Sequence, residues 1–318
     1  MGAIAGSAIL DCSQTNTLDT VTLTINNSCN LKCPHCYLQY EGAGKQCCEH
    51  DIFALIERSS FRHLAIVGKE PFLDPNSTKM CHELAELCTN RGMSISVVTN
   101  GLNVASAPKS LLQLFSFVDV SLDGGRTSYG SYRGGSIAKL QRSLDFLVAN
   151  KSTINALHVL NSTTLSFLDE MLAVRDLAPF HRVVFSPYLK TKNHGLNTVG
   201  PLALLPLLER LSKSAFKETT NATLLLHGEH LEQSGIEPES FWAIVDRYGL
   251  RRNVRLIEDD PLTYGVIRVT YDGLVLSPRQ ALHTQTYRFS SHLTVADLTE
   301  STLESAFTRI GKAILPIQ

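Results

Sequence analysis

The sequence predicts an α/β protein built on an open, mostly parallel sheet, either a partial β/α barrel or a doubly wound sheet. Three observations predict it. Short apolar strands alternate with amphipathic helices six times over about 165 residues, the pattern that favours right-handed parallel crossovers. Turn residues close several of the strands, as Asn100-Gly101 and Asp123-Gly124-Gly125 do. After Asn193 the alternation stops, so six units stand where a complete barrel has eight.

The elements follow in order. Residues 20–26 (TVTLTIN) alternate β-branched and apolar positions and read as a strand running into a cysteine-rich loop. A helix at 50–59 and an apolar strand at 63–67 come next. Residues 79–91 space Met80, Leu84, Leu87 and Cys88 along one helix face. Strands are expected at 94–99, 117–122, 154–160 and 181–186, with helices at 111–114, 137–149 and 162–176 between them. Beyond, 201–214 and 237–248 read as helices and 222–227 as a strand. Residues 264–270 and 273–277 form a hairpin turning at Asp272-Gly273, and 303–314 a last helix. The expected organisation is a core domain over 1–195 and a capping or substrate region over 196–318.

Charge narrows the function classes. Lys and Arg number 29 against 30 Asp and Glu, so no net field attracts nucleic acid or an anionic membrane. No apolar run reaches spanning length, and the first ten residues lack the basic start of a signal peptide. All eight cysteines lie at or before Cys88, and three crowd into eight residues, which points to a metal or cluster in a reducing, cytoplasmic setting rather than to disulfides.

That crowded segment is Cys29-Asn-Leu-Lys-Cys33-Pro-His-Cys36-Tyr37. Three thiolates can hold three irons of a four-iron cubane and leave the fourth iron open to a small molecule. Tetrahedral zinc is the structural alternative, and His35 is poorly placed, directly before Cys36, to complete such a set. Cys81 and Cys88 share a helix face and read as core. Adjacent Cys47 and Cys48 do not readily face one metal. His227, Glu229 and His230 read as surface or substrate pocket.

A C-x3-C-x2-C loop after the first strand of a β/α chain resembles the radical S-adenosylmethionine (radical SAM) superfamily. The resemblance covers roughly residues 18–190. It implies a partial (β/α)6 barrel with a small α+β C-terminal extension, a [4Fe–4S] cluster on Cys29, Cys33 and Cys36, and S-adenosylmethionine on the open iron. Reductive cleavage would then yield a 5′-deoxyadenosyl radical that takes hydrogen from a small-molecule or peptide substrate, with an electron donor such as flavodoxin or ferredoxin as partner. The competing class is a non-catalytic iron–sulfur or zinc protein that senses or binds.

Further segments support the resemblance. Gly68-Lys69-Glu70-Pro71 ends the second strand and resembles the Gly-Gly-Glu-Pro turn that receives the methionine amino group. Here Lys69 replaces the second glycine and points at substrate or into solvent. Ser121-Leu-Asp123-Gly124, with Tyr132-Arg133-Gly134 downstream, resembles relatives in which a serine and an arginine contact the cofactor, Arg133 taking the carboxylate. A surface position is the alternative for Arg133. Asn100 and Asn161 close strands at the ligand-binding edge, or else cap the helices that follow. Tyr37 resembles the aromatic residue near the adenine. The hairpin near residue 270 resembles the opening of a SPASM or twitch module. No cysteine follows Cys88, so residues 196–318 cannot hold a cysteine-ligated auxiliary cluster.

Overall fold

The computed structural model describes residues 17–36, 47–188, 199–214, 216, 221–232, 234–257, 264–277, 293–294, 298 and 301–314. Six strands run in parallel: β1 (Thr20–Thr24), β2 (His63–Val67), β3 (Ser94–Thr99), β4 (Phe117–Ser121), β5 (Ile154–Leu160) and β6 (Arg182–Pro187). They lie side by side in chain order, as right-handed crossovers dictate. The connecting helices include α1 (Glu49–Arg58), α2 (Pro75–Asn90), α3 (Lys109–Leu114), α4 (Ser128–Arg133) and α5 (Ile137–Ala149). Helix α2 starts where Asp74 accepts the Ser77 N–H and Pro75 supplies a preset φ.

The boundary expected near residue 195 does not separate two sheets. Strand β7 (Ala222–His227) pairs parallel with β6, and β8 (Val254–Ile257) pairs parallel with β7. Strand β9 (Val266–Val269) crosses to the other edge and pairs parallel with β1, with β10 (Leu274–Leu276) antiparallel to it. The hairpin turns at Gly273, whose φ of 83° suits glycine. The last third thus extends the sheet at both edges.

Alternation along the strands divides the core. One parity, including Leu23, Leu64, Ile66, Val97 and Val120, packs against the helices. The other parity brings Val67, Val98, Leu157, Val184, Leu225, Ile257 and Val266 into one cluster on the concave face. Strands β8 and β9 both contribute to it, although no pairing between them joins the sheet's order among the described residues. The sheet therefore curls without closing.

One expected helix is broken. Residues 162–176 form a short α-helix, α6 (Leu168–Leu172), flanked by 3₁₀ turns. Asn161 Oδ1 accepts the Thr163 and Thr164 N–H groups at 2.9 and 3.0 Å, and Thr164 Oγ1 donates back to the Val159 carbonyl. These local bonds compete with helical ones.

Candidate functional site

A cleft opens at the carboxyl ends of β1 to β5, enclosing about 710 Å³ counted to its open mouth. Cys29, Cys33 and Cys36 line it with Gly68, Lys69, Asn100, Ser121, Asp123 and Arg133. Val67, Val98, Leu157 and Val159 supply an apolar wall. The edge is the one where open parallel sheets bind ligands.

Among the described residues none of the three cysteines forms a disulfide. Burial pushes Cys33 up to about 11 while the Arg133 guanidinium pulls it back. Burial also raises Cys29, whose Sγ accepts the Leu31 N–H at 3.3 Å and lies 3.7 Å from Asn100 Nδ2. Among the described residues no three His, Cys, Asp or Glu side chains already converge as ligands to a single ion. A cubane asks for one thiolate per iron, on three separate irons, and three cysteines outside disulfides that line one cleft fit that donor set. Cys81 and Cys88 are fully buried in α2, as expected of core residues.

The second-strand turn is held from below. Asn26, just past β1, donates through Nδ2 to the Glu70 carbonyl at 2.7 Å and to Ser77 Oγ at 3.0 Å. Its Oδ1 accepts the Lys69 N–H at 3.2 Å and the Glu70 N–H at 3.4 Å. A Cβ on Gly68 would stand 2.8 Å from that oxygen, so only glycine fits under this clamp. The Glu70 carboxylate turns inward, away from the cleft lining. It accepts from Thr99 Oγ1 at 2.6 Å, Phe72 N at 3.1 Å and Asn100 N at 2.8 Å. Burial pushes its pKa up, and those three donors pull it back. Its role in this structure is to join the ends of β2 and β3.

A buried network forms the opposite wall. Asp123 takes a left-handed backbone, φ 50°, which the short polar side chains tolerate best. Its Oδ1 accepts the Val159 N–H at 2.5 Å, and its Oδ2 faces both Arg133 Nη1 and His35 Nε2, the latter at 3.1 Å. Burial alone would raise this carboxyl, but His35 and Arg133 hold it well below the usual carboxylate range. His35 Nδ1 meets Tyr132 Oη at 3.1 Å, and Tyr132 accepts from Asn161 Nδ2 at 2.6 Å. The His35 and Tyr132 rings stack with 5.5 Å between centroids. Helix α4 presents Tyr132 and Arg133 because Glu170 caps its start, accepting from Thr127 N, Thr127 Oγ1 and Ser128 N.

Of the residues expected from sequence, the cleft gathers the three cysteines, Gly68, Lys69, Asn100, Ser121, Asp123 and Arg133. Arg133 is 7% exposed, so the surface alternative does not hold. Glu70, Pro71 and Asn161 stand behind the lining, and Asn161 serves as the cap that was its alternative. Tyr37 lies outside the described residues. Sequence reading missed Asn26, which carries only its place at a strand's end as a signal. It also set His35 aside by weighing it as a ligand rather than as a partner of the sheet. His230 bonds to the backbone at His227 and Pro187 and joins no metal-holding group among the described residues.

No family model matches the chain. A curated relative, Fe-coproporphyrin III synthase of Methanosarcina barkeri, is 31% identical over 120 residues, covering 36% of this chain and 29% of that protein. The chain thus matches less than a third of that relative's length. Among solved structures, Streptococcus suis SuiB bound to the precursor peptide SuiA matches with a TM-score of 0.68 at 12% identity, over 95% of this chain and 67% of that one. Native anSMEcpe with bound AdoMet and Cp18Cys peptide matches with a TM-score of 0.55 at 17% identity, over 93% and 83%. Both are radical SAM enzymes, and at these identities the likeness shows that this chain shares their fold.

Proposed function

We propose that the chain is an enzyme that holds a [4Fe–4S] cluster on Cys29, Cys33 and Cys36 and binds S-adenosylmethionine beside it in the cleft. One observation carries the reading. The thiols, the Gly68-Lys69 turn, Ser121 and Arg133 line a single cleft at one sheet edge. A bare sensor or structural zinc site needs the cysteines but not the rest. Cluster and cofactor together would supply, on one-electron reduction, a 5′-deoxyadenosyl radical for hydrogen abstraction from substrate.

The chain's own residues bind and orient. The turn at Gly68 and Lys69 offers backbone carbonyls suited to an ammonium group, and Asn26 fixes their direction. Arg133 and Ser121 offer a cation and a hydroxyl to a carboxylate. Asn100 approaches the loop at Cys29 and bonds Asn30 Oδ1 at 2.7 Å. The valine and leucine wall excludes water and solvent hydrogen donors from the reacting position. The electron comes from an external donor such as flavodoxin or ferredoxin.

Substrate class is peptide or small molecule. Support for a peptide comes from SuiB, bound to the precursor peptide SuiA, and anSMEcpe, bound to Cp18Cys peptide. The deciding experiment is anaerobic reconstitution followed by reduction with S-adenosylmethionine present. About four irons per chain and release of 5′-deoxyadenosine support the reading. Iron uptake without cleavage, and without any affinity for S-adenosylmethionine, would favour the sensor class instead.

A further inference from the structure

His35 sits between two cluster cysteines in sequence and lines the cleft with them, yet its ring nitrogens are bonded to groups of the sheet and of α4. It is 7% exposed and both ring nitrogens are bonded. Asn161 Oδ1 accepts two backbone N–H groups, which fixes the amide and leaves Nδ2 as a pure donor to Tyr132. Tyr132 Oη in turn meets His35 Nδ1 at 3.1 Å. His35 Nε2 faces the carboxylate oxygen of Asp123 at 3.1 Å and donates to it. Asp123 is the sink: as a carboxylate it only accepts, from His35, from Arg133 and from the Val159 backbone. The bonds form one chain, from the end of β5 through α4 to the cysteine loop and back to the end of β4.

Resting on the reading that this loop holds the cluster, we propose that His35 is a positioning residue. It locks the loop between Cys33 and Cys36 to the sheet through this chain of bonds, and the lock sets how tightly the loop retains its cluster. Three features support it. Asn100 Nδ2 holds the start of the loop, at Asn30 Oδ1 and near Cys29 Sγ, whereas His35 ties the stretch between Cys33 and Cys36 to Asp123 and Tyr132. The His35 ring is held flat against Tyr132, with 1° between their planes, so it cannot swing without breaking both bonds. Asp123 also joins Arg133 to the same carboxylate oxygen, so the cluster loop and the cofactor arginine share one anchor. Bonded partners behind ligands govern retention of a metal centre by fixing ligand orientation.

The test uses the full chain, reconstituted anaerobically, with iron loss followed in excess ferrous chelator. His35→Phe keeps the ring against Tyr132 and removes both hydrogen bonds. Loss should be roughly ten- to a hundredfold faster than in the unsubstituted protein. The spectrum of the reduced cluster should change with it. His35→Gln places an amide donor where Nε2 stood and should restore most of the retention and the native spectrum. Should His35→Phe fail to fold, Tyr132→Phe removes only the relay hydroxyl and should accelerate loss by a smaller factor. Native retention and spectrum in His35→Phe would overturn the proposal, as would a His35→Gln protein no better than the phenylalanine variant. A chain that takes up no iron, or keeps it in Cys33→Ala, would instead overturn the underlying cluster reading.

Discussion

Two buried histidines sit at opposite ends of the sheet and are held by different logic. His63, at the base of β2, touches Ser94 Oγ at 2.7 Å and Ser96 Oγ at 2.8 Å and stacks on Phe117 at 5.5 Å. His35, at the mouth, touches Asp123 and Tyr132 at 3.1 Å each and stacks on Tyr132 at 5.5 Å. The inventories match, but the partners differ. A serine hydroxyl rotates to donate or accept, so the base serves either tautomer of His63. The mouth has a carboxylate that only accepts, so His35 Nε2 must donate to it, and an amide nitrogen that only donates to Tyr132. The base is tolerant packing, and the mouth is a directed array that leaves its outward groups to a ligand.

The hardest break of that contrast is at the mouth. Cys33→Ala should abolish cluster retention, since two remaining thiolates leave too few ligands for a cubane with one open iron. Cys81→Ala with Cys88→Ala, inside the helix layer, should keep it. Iron analysis after anaerobic gel filtration separates the two. Full iron in the Cys33 variant would move the cluster elsewhere.

Arg133→Ala should leave the iron in place and weaken S-adenosylmethionine binding. A charge-assisted contact is worth on the order of 1.5–3 kcal/mol, so affinity should fall roughly ten- to a hundredfold. Anaerobic calorimetry reads this directly. Unchanged affinity would mean that the guanidinium serves Asp123 alone.

Why these residues were legible, and others not, follows from the same contrast. The six strands showed because each is a short apolar run between helical periods, and Gly273 announced the hairpin through turn chemistry. The cysteines, Gly68 and Arg133 showed because their spacing is itself the signal. The pairing of β9 with β1 left no trace, since Val266–Val269 looks alike at an edge or in a separate sheet. The break in the helix before β6 was hidden because Asn161 and Thr164 carry ordinary helix-start chemistry, and only geometry shows them competing with the helix. Asn26, Tyr132 and His35 escaped because they act on other protein groups across 44, 29 and 97 residues of sequence.

A milder break sharpens the description of the turn. In Gly68→Ala the new methyl meets Asn26 Oδ1 at 2.8 Å, so Asn26 must release the Lys69 and Glu70 N–H groups. Loss of about 1 kcal/mol of orientation should weaken S-adenosylmethionine binding roughly fivefold with iron unchanged. Asn26→Ala should do much the same, and the double variant should be no worse than Asn26→Ala alone, because both changes act through one contact. Additive losses would show that Gly68 serves the ligand by some route other than Asn26.

The smallest expected effect is at the base, and it is a matter of pH. Burial lowers His63 from its ordinary 6.5 to about 4, with Asp19 opposing and Arg62 adding to the shift, so the ring is neutral in the folded chain near pH 7. Its folded value lies below its unfolded one. Above about pH 6.5 neither state binds the proton and the contribution to stability is complete. As pH falls from 6.5 toward 4 the unfolded chain takes up a proton that the folded chain refuses, and stability declines across that window. His63→Gln can bond a serine but cannot titrate. Denaturation midpoints of the two proteins, loaded alike and compared at each pH, isolate this one group, because His158 and His230, which are lowered in the same direction, remain in both. The unsubstituted chain should lose ground to His63→Gln steadily between pH 6.5 and 4 and hold a constant difference above it. A difference that stays flat through the window would mean that the two serines accommodate the charged ring as well as the neutral one, a tolerance at the base beyond that of the mouth.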